Sequence, residues 1–167
     1  MDNNSHDKNL QNDLKFAVDL QKKFTGELGF LPKVALATYL ERGCIDFAHE
    51  NDERAGYILL RQMQDKRILS IVQAAVCKDA QRRHIGLQLL ERGIENRSTG
   101  IEIVQAWCAS DLESVEFWKA AGFVEICREI RGNTRNREMI LFRRPKAAER
   151  PPDFWNIRSE EHTSELQ

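Results

Sequence analysis

Chemistry is most plausible where an apolar run gives way to Cys77-Lys78-Asp79-Ala80-Gln81-Arg82-Arg83-His84-Ile85-Gly86-Leu87. The run, Ile68 to Val76, has the length of a strand, and the pattern after it is helical. A helix start presents unpaired backbone N–H groups and the positive end of the helix dipole. A phosphate suits that position. Arg82 and Arg83 add charge-assisted donors matched to a pyrophosphate. Gly86 removes a side chain where a main chain would approach the phosphates. His84 is a further donor there, or a surface residue. The residues alone leave a second reading open, a capped helix with two solvated arginines.

The elements that must position this junction follow from periodicity. Asp13 to Phe24 has helical spacing, and a second helix is expected from Pro32 to Gly43. Cys44 to His49 and Ala55 to Met63 form a hairpin across a polar turn. Tyr57, Leu59 and Arg61 would share one face of its second strand. Ile68 to Val76 is apolar almost throughout, which predicts burial on both faces and a central place in a sheet. Asp79 is the expected cap of a helix carrying Ile85, Leu89, Leu90 and Ile94 and ending near Gly100. Ile101 to Cys108 is another buried strand. Ser110 to Gly122 is a helix in which Ser110 and Glu113 spell a capping box, with Asp111 as the other candidate cap. Phe123 to Glu129 and Glu138 to Phe142 make a last hairpin. The order predicts an α/β domain with one crossover in its middle.

Bulk properties narrow the class. With 41% apolar and 31% charged residues in 167, the chain has a globular and not a disordered profile. No apolar run approaches bilayer length, and the N-terminus lacks a signal core, so no membrane association is expected. Residues 1–11 are expected to be disordered, 12–146 to form the domain, and 147–157 to be a C-terminal extension. Residues 158–167 resemble the translation of a sequencing-library adapter. They carry one Arg and three Glu, a net −2, so without them the formal charge of −1 becomes +1. Neither value argues for a particular partner. Cys44, Cys77, Cys108 and Cys127 show no metal-ligand spacing, so neither zinc nor a disulfide framework is expected. A reducing cytoplasm is the expected location.

Two segments resemble a known family. Gln81, Gly86 and the pair Leu89-Leu90 match the first motif of the GNAT superfamily of acetyl-CoA-dependent N-acetyltransferases, with His84 at its first glycine. Asp111-Leu112-Glu113-Ser114-Val115-Glu116-Phe117-Trp118, followed by Gly122-Phe123, resembles the second motif. There Asp111 stands for Asn, Ser114 for Ala and Trp118 for Tyr. The similarity spans Leu14 to Phe142 and implies the GNAT fold, with a mixed central sheet of about six to seven strands and about four helices.

The resemblance also implies a function: transfer of an acetyl group from acetyl-CoA, as co-substrate, to an amine acceptor in a ternary complex. A catalytically degenerate GNAT-fold protein that binds CoA or a partner is the alternative. CoA would contact Val76, Cys77, Gln81, Arg82, Arg83, His84, Ile85, Gly86, Leu87, Asp111, Ser114, Phe117 and Trp118. A backbone N–H of Val76 or Cys77 would hold the thioester oxygen. In the family the tyrosine at the Trp118 position often reprotonates the leaving thiolate, which an indole cannot do. The general base is unassigned, with Tyr39, Tyr57, Cys108 and Asp111 as candidates and Glu41 beside them. The acceptor would be a small molecule or a peptide. A homodimer is open, no metal is implied and nucleic acid is not the expected partner. Arg128, Arg131, Arg135, Arg137, Arg143, Arg144 and Lys146 face Glu125, Glu129 and Glu138 around the last hairpin, a basic excess that would suit an anionic acceptor or simply be a solvated surface.

Overall fold

The computed structural model describes residues 3–65, 67–81, 84–97, 99–132 and 136–146. Its elements are α1 (Asn3–Lys23), α2 (Thr25–Leu28), α3 (Lys33–Glu41), β1 (Ile45–Glu50), β2 (Glu53–Gln62), β3 (Ile68–Val76), α4 (Ile85–Glu95), β4 (Ile103–Ala109), α5 (Ser114–Ala120), β5 (Val124–Arg131) and β6 (Arg137–Pro145). The strands form one sheet in the order β1-β2-β3-β4-β6-β5. Its parallel pair, β3 with β4, is joined through α4, the expected crossover. The expected mixed α/β sheet is present, with six strands and five α-helices among the described residues.

Two compact units emerge from the contacts, Met1–Leu60 with Gln73–Gly93, and Arg61–Val72 with Ile94–Gln167. In the first, Asn51 and Asp52 both take positive φ (51° and 63°) and close the β1–β2 hairpin. Such a turn matches the twist of paired strands. Tyr57, Ile58, Leu59 and Leu60 are all buried, so β2 is covered on both faces and not on one alone. In the second unit, Ile68, Ile103, Val104, Ile140, Leu141 and Phe142 fill the core. The β3–β4 ladder runs from Ile68–Ile103 to Ile71–Ala106, and β3 continues to Val76.

A count along β2 and β3 exposes an irregularity. Met63 N–H donates to the Ile68 carbonyl at 2.9 Å, and Cys77 N–H donates to the Ala55 carbonyl at 2.8 Å. Between those bonds, eight residue steps on the β2 side (55 to 63) face nine on the β3 side (68 to 77). One residue on the β3 side is therefore extra, which is a β-bulge.

Several boundaries differ from expectation. Helix α1 begins at Asn3 and not Asp13, so most of the stretch expected to be disordered is helical. Adding turns to a helix already nucleated by its amphipathic part costs little, even for polar residues. Asp79 does not cap α4. It lies in a single 3-10 turn, Lys78–Ala80, and α4 starts at Ile85 and ends at Glu95, short of Gly100. The capping box at Ser110 and Glu113 is not formed either; α5 starts at Ser114 without a side-chain cap.

A chain of neutral amides ties the first unit together. Tyr57 Oη donates to Gln73 Oε1 at 2.8 Å, and Gln73 Nε2 donates to Gln21 Oε1 at 2.9 Å. Gln21 then pairs with the main chain of Leu31 twice, accepting from its N–H at 2.8 Å and donating to its carbonyl at 2.9 Å. All three side chains are buried. Gln73→Leu should cost about 1–3 kcal/mol by stranding the Tyr57 hydroxyl. Adding Tyr57→Phe should recover part of that loss in a denaturant double-mutant cycle; strict additivity would mean that the two groups are not coupled.

Candidate active site

The junction after β3 is built stepwise. Gln81 Nε2 donates back to the Val76 carbonyl at 3.0 Å, closing the chain over its own turn. Ala80 N–H bonds the Cys77 carbonyl at 2.9 Å, and the buried Ala80 methyl anchors the 3-10 turn. His84 then takes a left-handed backbone, with φ of 61°. Its carbonyl accepts the Gln88 N–H at 3.0 Å, the opening bond of α4. The N–H groups of a helix's first turn precede its first intrahelical bond. Leu89 and Leu90 fix the helix by burial, while Leu87 is exposed. Arg82 and Arg83 lie outside the described residues.

The position where the family motif has glycine is thus one where the backbone is left-handed. Histidine is among the residues that tolerate this conformation better than most. The His84 side chain is exposed.

The other candidates lie in the second unit. Cys108 Sγ is 3.3 Å from Ser114 Oγ in a hydrogen bond. Trp118 is buried, edge-on to Phe117 and Phe123 with centroids 5.1 and 5.2 Å away. That makes Trp118 a core residue and leaves the half-buried Phe117 and Ser114 more accessible. Asp111 caps nothing; it accepts from Arg137 Nε at 3.0 Å. That bond holds the segment before α5 to β6.

A family model described as the acetyltransferase (GNAT) domain matches residues 30–137. The chain belongs to the GNAT acetyltransferase family. As a GNAT protein it is an N-acetyltransferase, and acyl transfer is its chemistry. Among solved structures, it is similar to Ard1 from Thermoplasma volcanium, at 14% identity and a TM-score of 0.71, covering 80% of this chain and 91% of that one. It is also similar to the ribosomal-protein-S18-alanine N-acetyltransferase from Escherichia coli, at 18% identity and a TM-score of 0.65, covering 83% and 90%. A third likeness is to N-acetylglutamate synthase from Neisseria gonorrhoeae, complexed with coenzyme A and N-acetyl-glutamate, at 18% identity and a TM-score of 0.69. It covers 81% of this chain, which spans only 33% of that one. At these identities the likeness establishes the fold. A search of curated proteins returns no match.

Within the GNAT frame, the ionisable candidates separate. Burial pushes the Tyr57 phenol well above the ordinary tyrosine range, and its proton is engaged by Gln73. Burial also raises the Cys108 thiol, outweighing its bonds with Ser114 and Trp118. Near neutral pH both keep their protons, so neither serves as a general base. Tyr39 is half-buried on α3, and Glu41 is exposed at its end. Of the two expected donors to the thioester oxygen, Cys77 N–H is bonded to the Ala55 carbonyl at 2.8 Å.

The basic excess around the last hairpin is largely used within it. Arg128 pairs with Glu125 and Glu138, and Arg137 with Asp111. Arg131 lies 4.1 Å from the centre of the Trp107 ring, Arg144 donates to the Ala121 carbonyl, and Arg143 is buried against Gln105. Arg135 lies outside the described residues. Gln21 and Gly56 escape sequence reasoning altogether. A glycine inside a strand pattern was the available signal for Gly56.

The Tyr57 phenol gives a pH prediction. In the unfolded chain it ionises near pH 10, whereas burial keeps it protonated in the fold. Its contribution to stability is whole below about pH 10 and is lost as pH rises above that. Stability measured by denaturation should fall on the alkaline side, and Tyr57→Phe should flatten the fall. An alkaline limb identical in the variant would show that the phenol is not protected by burial.

Proposed function

We propose that the protein transfers an acetyl group from acetyl-CoA to an amine acceptor, directly and within a ternary complex. The observation that carries this reading is the left-handed His84, at the position where the family motif has glycine, leading into α4. The N–H groups at the start of α4, with Arg82 and Arg83, would bind the pyrophosphate. Ser114 and Phe117 would border the pantetheine arm. The amine nitrogen attacks the thioester carbonyl carbon, the carbon–sulfur bond breaks, and the proton lost by the amine ends on the departing thiolate. The Val76 N–H would bear the developing oxyanion.

The neighbours support this reading in part. The Neisseria gonorrhoeae structure contains coenzyme A, and the Escherichia coli enzyme is named for an alanine of a ribosomal protein. These names support a small molecule or a peptide amine as the acceptor in this reading. No described helix is long and apolar enough to cross a membrane. The described cysteines are free, which fits a reducing, cytoplasmic setting. No described group of His, Cys, Asp and Glu could hold a metal ion.

Calorimetry with acetyl-CoA and thiol release over a panel of amines test the proposal. Binding together with release on at least one amine is expected; binding without release on any would reverse the proposal in favour of a protein that holds CoA without turnover. His84→Gly should keep or tighten CoA affinity. His84→Val should weaken it by about tenfold, because a β-branched residue resists the left-handed backbone by about 1–2 kcal/mol. Equal affinity in both variants would sink the assignment of this turn to the phosphates.

A further inference from the structure

The backbone of Gly56, unlike that of His84, does not require glycine: its φ lies outside the left-handed region. The space around it does. A Cβ built there would lie 2.6 Å from the Ala75 carbonyl oxygen, 3.1 Å from Val76 Cα and 3.2 Å from Val76 Cγ2. Two of those atoms are main chain and cannot rotate aside. The flanking residues of β2 hold the same stretch of β3. Ala55 accepts the Cys77 N–H at 2.8 Å, and Tyr57 donates to Gln73 at 2.8 Å. Three consecutive residues of β2 therefore clamp the bulged end of β3, and the middle one does so by lacking a side chain.

We propose that Gly56 is a positioning residue for acyl transfer: its bare main chain lets β2 close on β3 and sets the location of the Val76 N–H. The proposal rests on the reading that Val76 holds the thioester oxygen. Any side chain at position 56 must push Ala75 and Val76 away from β2. A displacement of that kind moves the donor relative to the carbonyl while the phosphate turn at His84 keeps its form. The loss should thus fall on the chemical step and spare CoA binding.

Gly56→Ala in the full chain, beside Gly93→Ala, tests this. The Gly93 control adds a Cβ 2.8 Å from Leu60 Cδ1 and 3.2 Å from Ile58 Cγ2, a comparable crowding against side-chain atoms and not main chain. Gly56→Ala should lower kcat by about ten- to a hundredfold, the scale of a sub-ångström to ångström misplacement. Its CoA affinity by calorimetry should stay within about threefold of the parent, and Gly93→Ala should keep the parental kcat. If Gly56→Ala does not fold, Gly56→Ala with Val76→Ala removes the Cγ2 contact and leaves the carbonyl contact, so kcat should still be low. Parental kcat in a folded Gly56 variant would overturn the proposal, as would an equal kcat loss in Gly93→Ala. A parent chain that neither binds CoA nor releases thiol would instead overturn the functional reading beneath it.

Discussion

The extra residue on the β3 side is the constraint on which the candidate site depends. A sheet ladder repeats every two residues, so inserting one changes which side chains face which neighbour from that point on. The surroundings fit this deviation closely. Gly56 makes room for the carbonyl of Ala75, Ala55 receives the first N–H beyond the strand, and Gln81 returns to take the Val76 carbonyl. The strand end is thus bonded to Ala55 on one side and closed by its own downstream amide on the other.

A second constraint acts through neutral groups. Gln21 bonds the N–H and the carbonyl of Leu31, as a neighbouring strand would, although it is a side chain on a helix. The segment between α2 and α3 has little regular pairing of its own, so this bond substitutes for a ladder. Because Gln73 and Tyr57 complete the network, segment, helix and sheet are joined without a buried charge. Amides avoid the desolvation cost that a buried ion pair would carry, and they enforce one geometry because each unmet bond is costly.

What sequence discloses and what it hides follow from the range of the forces involved. The strands β3 and β4 were legible because burial on both faces leaves a continuous apolar run, and β1–β2 because its turn residues are polar and local. Helix caps were less legible. Asp79, Ser110 and Asp111 all have the chemistry of a cap, but competing partners decide their use, as when Arg137 takes Asp111 from across the fold. The basic hairpin left two readings open because several of its partners, Asp111, Gln105, Trp107 and Ala121, lie outside the hairpin. The turn after β3 was visible as a motif, yet the left-handed backbone of His84 was not. Gly56 left only a weak trace, since a close approach depends on the other strand.

The distribution of ionisable groups then bears on how a GNAT protein of this sequence could act. Tyr57 and Cys108, the most buried of the candidate bases, are held neutral by that burial, and Asp111 is engaged in an ion pair. Under the proposed chemistry Tyr57 and Cys108 take up no proton, and placing two reactants and one main-chain donor would supply much of the rate. Placement of that kind is a property of strand ends and turns. It tolerates exchange of the residues lining the site more readily than displacement of the backbone that carries them. The most exacting positions are then the ones that carry no chemistry of their own: a glycine whose missing side chain admits a carbonyl, and a histidine whose backbone does the work of a glycine.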